Sequence, residues 1–82
     1  MNYYVYLIVS KIKKKTISYV GYTNNLKKRV KHHNTNKGAK FTKGKKWKLV
    51  YYEVYDSRIE AMKEEYSLKK NYYLRNKLKR LK

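Results

Sequence analysis

The alternation and clustering of apolar positions predict strands and helices in the order ββαβα(α). Tyr3 to Val9 is rich in tyrosine and β-branched residues and predicts a strand; Ser10 to Lys15 is a polar, basic turn; Thr16 to Tyr22 predicts a second strand, antiparallel to the first. Asn24 or Asn25 can cap a helix that starts near Leu26 and runs to about Asn34. Thr35 to Lys46 reads as a loop, with two glycines and five lysines, and Trp47 to Tyr55 as a third strand. Ser57 and Glu60 form an S-x-x-E capping box at the head of a second helix. Asn71 interrupts it, and residues 72–80 form a final short helix or a continuation. Leu74, Leu78 and Leu81 have helical spacing, so this tail is expected to dock. The whole chain, 1–82, reads as one domain with a basic C-terminal helix over about 71–82.

Periodicity also sorts the polar residues. Alternation puts Tyr4 and Tyr6 on one face of the first strand, and Ile17, Tyr19 and Gly21 on one face of the second. Tyr6 and Tyr19 are therefore expected to face each other across the hairpin. With Leu26 at zero and ~100° per residue, Val30 falls at about 40°, His33 at about 340° and Arg29 at about 300°. Arg29 and His33 thus lie beside the apolar stripe, while Lys27, Lys28 and Lys31 lie on the far side. An arginine there either finds an anion or snorkels along the rim. A single histidine there is more often a near-core residue with satisfied nitrogens than a functional one. On the second helix, with Ile59 at zero, Met62, Glu65, Ala61 and Leu68 share one broad arc, opposite Glu60, Lys63, Glu64 and Ser67. Glu65 is the glutamate on that arc. An inward carboxylate needs a partner, and two candidates are an ion pair with Arg29 and a Mg²⁺ shared with water and phosphate oxygens.

Charge changes the picture most. The 82 residues carry 23 Lys and Arg against five acids, a net charge of +18. All five acids lie between Glu53 and Glu65, so residues 1–52 hold fourteen basic residues and no acid. Such a surface attracts polyanions, and nucleic acid is the expected partner, bound in a salt-sensitive way. A composition skewed to Lys, Asn and Tyr is also what an AT-rich genome yields without selection for binding. The absence of cysteine excludes disulfides and thiolate zinc sites. No apolar run approaches the ~18 residues of a membrane span. No basic segment precedes an apolar one at Met1 to Ser10, so a cytoplasmic location is expected and no membrane partner.

Several blocks, in this order, resemble the GIY-YIG nuclease superfamily, and within it the small single-domain bacterial members. Tyr4-Val5-Tyr6 and Tyr19-Val20-Gly21 stand where the family has its two tripeptides. The segment Asn25 to Asn34 is similar to its helix, with an arginine at 29 and a histidine four residues on, at 33. Lys37 to Gly44 and Leu49 to Glu53 resemble the loop and strand that follow, and Glu65 to Lys69 resembles the helix bearing the metal-binding glutamate. Tyr4 departs from the pattern, standing in place of the family's glycine. A late asparagine used by some members has two candidates here, Asn71 and Asn76.

The resemblance implies a compact α/β domain, a three-stranded antiparallel sheet flanked by helices. It also implies hydrolysis of DNA phosphodiester bonds with one Mg²⁺ or Mn²⁺. Tyr6 and Tyr19 would position or activate water, and Arg29 would stabilise charge on the phosphate. His33 would transfer a proton or orient water, Glu65 would bind the metal, and Gly21 would permit a close backbone approach. A pair of phenols doing this work would need nearby cations to depress their ordinary pKa near 10. Lys37, Lys40, Lys43, Lys45, Lys46, Lys69 and Lys70 would track the DNA backbone, RNA being a second possible ligand. The alternative is a non-catalytic basic nucleic-acid-binding module, or one subunit of a structure-specific nuclease. A domain this small grips few base pairs, which leaves a homodimer or a partner subunit open.

Overall fold

Six consecutive residues, Val5 to Ser10, are buried, because their strand lies in the middle of the sheet and is covered on both faces. The computed structural model of the chain describes residues 2–35 and 37–80. Its elements are β1 (Tyr3–Ile12), β2 (Lys15–Thr23), α1 (Leu26–Asn34), β3 (Lys48–Tyr55), α2 (Arg58–Lys70) and α3 (Tyr72–Lys79), with a short 3-10 turn at Lys40–Thr42. The sheet order is β2-β1-β3 with both pairs antiparallel, the α/β arrangement expected.

The hairpin is longer than the pattern predicts. Lys11 and Ile12 continue the ladder against Thr16 and Lys15, so the turn shrinks to Lys13 and Lys14. Lys13 adopts φ 57, the left-handed backbone that tight two-residue hairpins demand. Between β1 and β3 the register shifts at Leu7 and Ile8, which pair with Tyr51 and Leu49. Val50 is the extra residue, and it packs with Tyr51 against one core while Leu49 packs against the other.

The alternation along β1 feeds two cores. Val5, Leu7 and Val9 pack with Val20, Ala61, Leu68 and Leu78 under α2 and α3. Tyr6 and Ile8 pack with Trp47 beneath α1 and the segment that follows it. Leu78 and Leu74 dock α3; Leu81 lies outside the described residues. The broad apolar arc expected on α2 is corrected. Ile59 is 71% exposed and Met62 is exposed as well, while Ala61 and Leu68 are buried. The small Ala61 lets the helix approach the sheet on a narrower arc, which still contains Glu65.

Caps fall where side chains can supply them. Asn25 accepts from the Lys28 amide at 3.1 Å and opens α1. Ser57 accepts from the Glu60 amide at 3.1 Å and opens α2. Asn71 ends α2 and caps α3 by accepting from the Leu74 amide at 3.0 Å. Among the described residues no helix is long and apolar enough to cross a membrane.

Candidate active site

The central strand carries Tyr6 to the middle of the sheet face beneath α1, where the side chain is fully buried. Across the hairpin Tyr6 pairs with Gly21, and Tyr19 pairs with Ile8. The two tyrosines therefore share a face as diagonal neighbours and are not directly opposite, a correction set by the register of the tight turn. The Tyr6 ring lies over Gly21. A Cβ at position 21 would meet the Tyr6 hydroxyl oxygen and stand 2.7 Å from its Cζ. What approaches Gly21 closely is thus a side chain, not a backbone.

Helix α1 brings Arg29 and His33 to the same ring, one turn apart, as their angles predict. Arg29 Nε donates to the Tyr6 hydroxyl oxygen at 3.3 Å, and that hydroxyl lies 2.8 Å from His33 Nε2. On its other side His33 Nδ1 lies 2.9 Å from Thr42 Oγ1. The Thr42 hydroxyl proton is engaged, because it donates to the Ala39 carbonyl at 2.8 Å. Thr42 must then accept from His33, which places the imidazole proton on Nδ1 and the lone pair on Nε2. Tyr6 in turn donates to His33. One directional chain results, from Arg29 through Tyr6, His33 and Thr42 to the Ala39 carbonyl.

Two residues of this chain's support carry no signal in the local pattern. Thr42 is fully buried in the 3-10 turn, and Gly38 is where a Cβ would collide with the His33 ring, 3.0 Å from its Cε1 and Cγ. Trp47 locks the same segment. Its indole N–H donates to the Thr42 carbonyl at 3.0 Å, and its backbone is held at both ends by the Asn34 amide. Thr42 and Gly38 act on a histidine several residues away, so only a tertiary contact reveals them.

Burial sets the charge states. It pushes the Tyr6 phenol up to about 12, although Arg29 pulls the other way; Tyr19 and Glu65 add to the rise. The depressed phenol pKa that the sequence reading asks of the cations is therefore not what Tyr6 has, because burial outweighs one guanidinium. Burial, Arg29 and His32 together lower His33 to about 4, so the ring is neutral at pH 7. For Arg29 burial works downward but is outweighed by the phenol of Tyr6, which it bonds, and the nearby phenol of Tyr19, and its pKa is raised.

Tyr19 stands beside the chain, its ring 5.0 Å from His33 and stacked on Phe41 at 6.2 Å. Glu65 comes from α2; its side chain is 18% exposed and its charge is felt at Tyr6. The ion pair it makes is with Lys69 at 3.2 Å, one turn along its own helix, and not with Arg29. Among the described residues no three acidic, His or Cys side chains cluster as a metal cage. Glu65 alone, with an exchangeable half-exposed lysine partner, fits an ion completed by water and phosphate oxygens, the manner in which Mg²⁺ is held at phosphate sites.

The basic residues divide. Lys37, Lys40, Lys43 and Lys46 are exposed on the segment that holds His33. Lys45 donates to the Phe41 carbonyl at 2.9 Å and lies over its ring at 5.3 Å, and Lys70 lies over Tyr66 at 4.5 Å. Lys45, Lys69 and Lys70 thus have partners within the chain. Asn71 is committed to its cap, and Asn76 lines a groove on α3 with Tyr72 and Tyr73.

The GIY-YIG catalytic domain family matches residues 2–79. A UPF0213 protein of Clostridium perfringens is 48% identical over 71 residues, covering 85% of this chain and 72% of that protein. A UPF0213 protein of Haloquadratum walsbyi is 35% identical over 82 residues, covering 99% of this chain and 89% of that protein. The solution NMR structure of a UPF0213 protein from Bacillus halodurans is 41% identical, covers 84% of this chain and 71% of that one, and superposes with a TM-score of 0.47.

Proposed function

This chain belongs to the GIY-YIG family, and we propose that it is a divalent-metal-dependent endonuclease that hydrolyses DNA phosphodiester bonds. The observation that carries the reading is the directional chain Arg29–Tyr6–His33–Thr42, a base held in one tautomer and joined through a phenol to a cation.

Arg29 has five donors and uses Nε–H on the Tyr6 phenol, so donors remain for the non-bridging oxygens of the scissile phosphate. With Arg29 so neutralised, one of the causes that lowers His33 is relieved, and substrate itself raises the basicity of the ring. Because Tyr6 is fully buried, substrate must first open a water path to its hydroxyl; a water there then gives its proton to the Tyr6 oxygen as Tyr6 passes its own to His33 Nε2. The resulting hydroxide attacks phosphorus, the bond to the leaving oxygen breaks, and that oxygen takes a proton from solvent. The phenol thus relays a proton without existing as a free phenolate, which suits its raised pKa. Tyr19 helps to orient the water and Arg29. Glu65 would hold a Mg²⁺ or Mn²⁺ ion that polarises the phosphate and stabilises the leaving oxygen. The exposed lysines of residues 37–46 lie against the phosphate backbone.

The test is incubation of the pure protein with labelled linear, nicked and branched DNA, with Mn²⁺ or with EDTA, beside Glu65→Ala. Metal-dependent cleavage by the parent and not by the variant supports the reading. Salt-sensitive binding without cleavage in either condition assigns the chain to nucleic-acid binding alone.

A further inference from the structure

We infer that the groove between the β1–β3 pair and the start of α1 is a stacking site for one unpaired nucleobase, which makes DNA with an unpaired nucleotide beside the scissile bond the preferred substrate class. The inference rests on the nucleic-acid part of the function proposed above and deepens it.

The groove holds about 560 Å³, within the ~300–1,000 Å³ of ordinary ligand sites, and its walls are Tyr4, Tyr52, Leu26, Val30 and Leu49, with Lys27 at the rim. Tyr4 and Tyr52 meet edge to face at 6.0 Å, and Tyr52 is 51% exposed, so flat aromatic surface is open to a ligand. Nothing in the hydrophobic cores requires this exposure.

Position ties the groove to the reacting centre. Tyr4 lies two residues from Tyr6 on the same face of β1, roughly 7 Å along the strand. Asn24 and Asn25 line both this groove and a smaller cleft of about 240 Å³ that contains Lys28, Arg29 and His32. A nucleotide whose phosphate bonds Arg29 can therefore set its base against Tyr4 without a long reach.

Charge selects the occupant. No acid exists in residues 1–52, and Glu53 pairs with Val5, hence on the opposite face of the sheet from Tyr52. A second copy of the chain would bring like charge to this face, whereas a nucleic acid brings phosphates. Aromatic stacking is tolerant of base identity but needs a base face that is not already covered, so a base inside a duplex does not qualify.

The experiment measures binding in EDTA to two labelled DNAs, a single strand carrying 2-aminopurine and the matched duplex. The parent is compared with Tyr52→Ala, an exposed position where folding is not at stake, and with Tyr4→Leu, which keeps an apolar side chain. We expect the parent to quench 2-aminopurine in the single strand. Each variant should lose about 5- to 150-fold in single-strand affinity, the range of an aromatic–base stack, with duplex affinity within about twofold of the parent. Equal single-strand affinity in parent and variants overturns the inference, as does an equal loss on both DNAs. So does a dimer of the parent that Tyr52→Ala dissociates with single-strand affinity unchanged, since a second copy then occupies the groove. Because no cleavage is needed, stacking without hydrolysis in Mn²⁺ removes the nuclease reading alone, and hydrolysis without stacking removes this inference alone.

Discussion

Gly21→Ala is the smallest change that strikes the buried Tyr6. The new Cβ would stand 2.7 Å from Tyr6 Cζ and closer still to the hydroxyl oxygen. The ring has little room to yield, because it is fully buried and held by His33 at 2.8 Å and Arg29 at 3.3 Å. Overpacking of this kind costs about 1–3 kcal/mol. Gly21 is not in the left-handed region, so alanine also stiffens the unfolded chain, which offsets about 0.4–1 kcal/mol. The net loss is about 1–2 kcal/mol, or roughly 4–16 °C in Tm for a domain of this size. If the ring yields, the Tyr6–His33 hydrogen bond breaks at a comparable cost of about 1–3 kcal/mol. Thermal melts followed by circular dichroism measure the loss. A double-mutant cycle then locates it. Tyr6→Phe removes the atom nearest the new Cβ, so Gly21→Ala should be milder in that background, with a coupling of about 0.5–3 kcal/mol. Gly44→Ala is the control, since Gly44 has φ 74 and nothing within 4 Å of its Cβ, and its cost should not depend on Tyr6. A Gly21→Ala protein as stable as the parent, or strict additivity with Tyr6→Phe, refutes the close approach of this ring.

Other outcomes are expected from the same geometry. Thr42→Val keeps the shape of a buried side chain but leaves His33 Nδ1–H without an acceptor, so Tm should fall by an amount equivalent to about 1–3 kcal/mol and cleavage should slow. His33 has an ordinary value of 6.5 and about 4 in the fold, so between these values the unfolded chain binds more protons. Its contribution to stability is complete above pH 6.5 and is lost as pH falls toward 4, on the order of 3 kcal/mol, and acid-range melts of the parent against His33→Gln isolate it. Replacing exposed Lys40 and Lys43 by Gln should lower the slope of log affinity against log salt by about two, with no change in Tm.

Much of the frame is legible in the chain because it depends on local chemistry. Asn25 and Ser57 have the side chains that cap helices, and the spacing of Leu26, Arg29, Val30 and His33 decides which face of α1 turns inward. What depends on distant contacts is not legible. The register that sets Tyr6 over Gly21 follows from the length of a turn, and the basic sequence around Lys13 does not disclose that length. The exposure of Ile59 and Met62 follows from how closely Ala61 lets α2 approach the sheet. Glu65 pairs with Lys69 because a neighbour one turn away on the same helix is within reach, while Arg29 is taken by the Tyr6 phenol. Thr42 and Gly38 matter only once the 3-10 turn folds back on His33.

The decisive comparison is rate against affinity on one labelled DNA, for the parent, Tyr6→Phe and Glu65→Gln. Single-turnover cleavage in Mn²⁺ should fall at least ~10²-fold in both variants, the usual share of a positioned proton relay, while Kd in EDTA changes less than about threefold. Variants that cut at the parental rate, or a parent that binds and never cuts, would show that these side chains are not a hydrolytic centre.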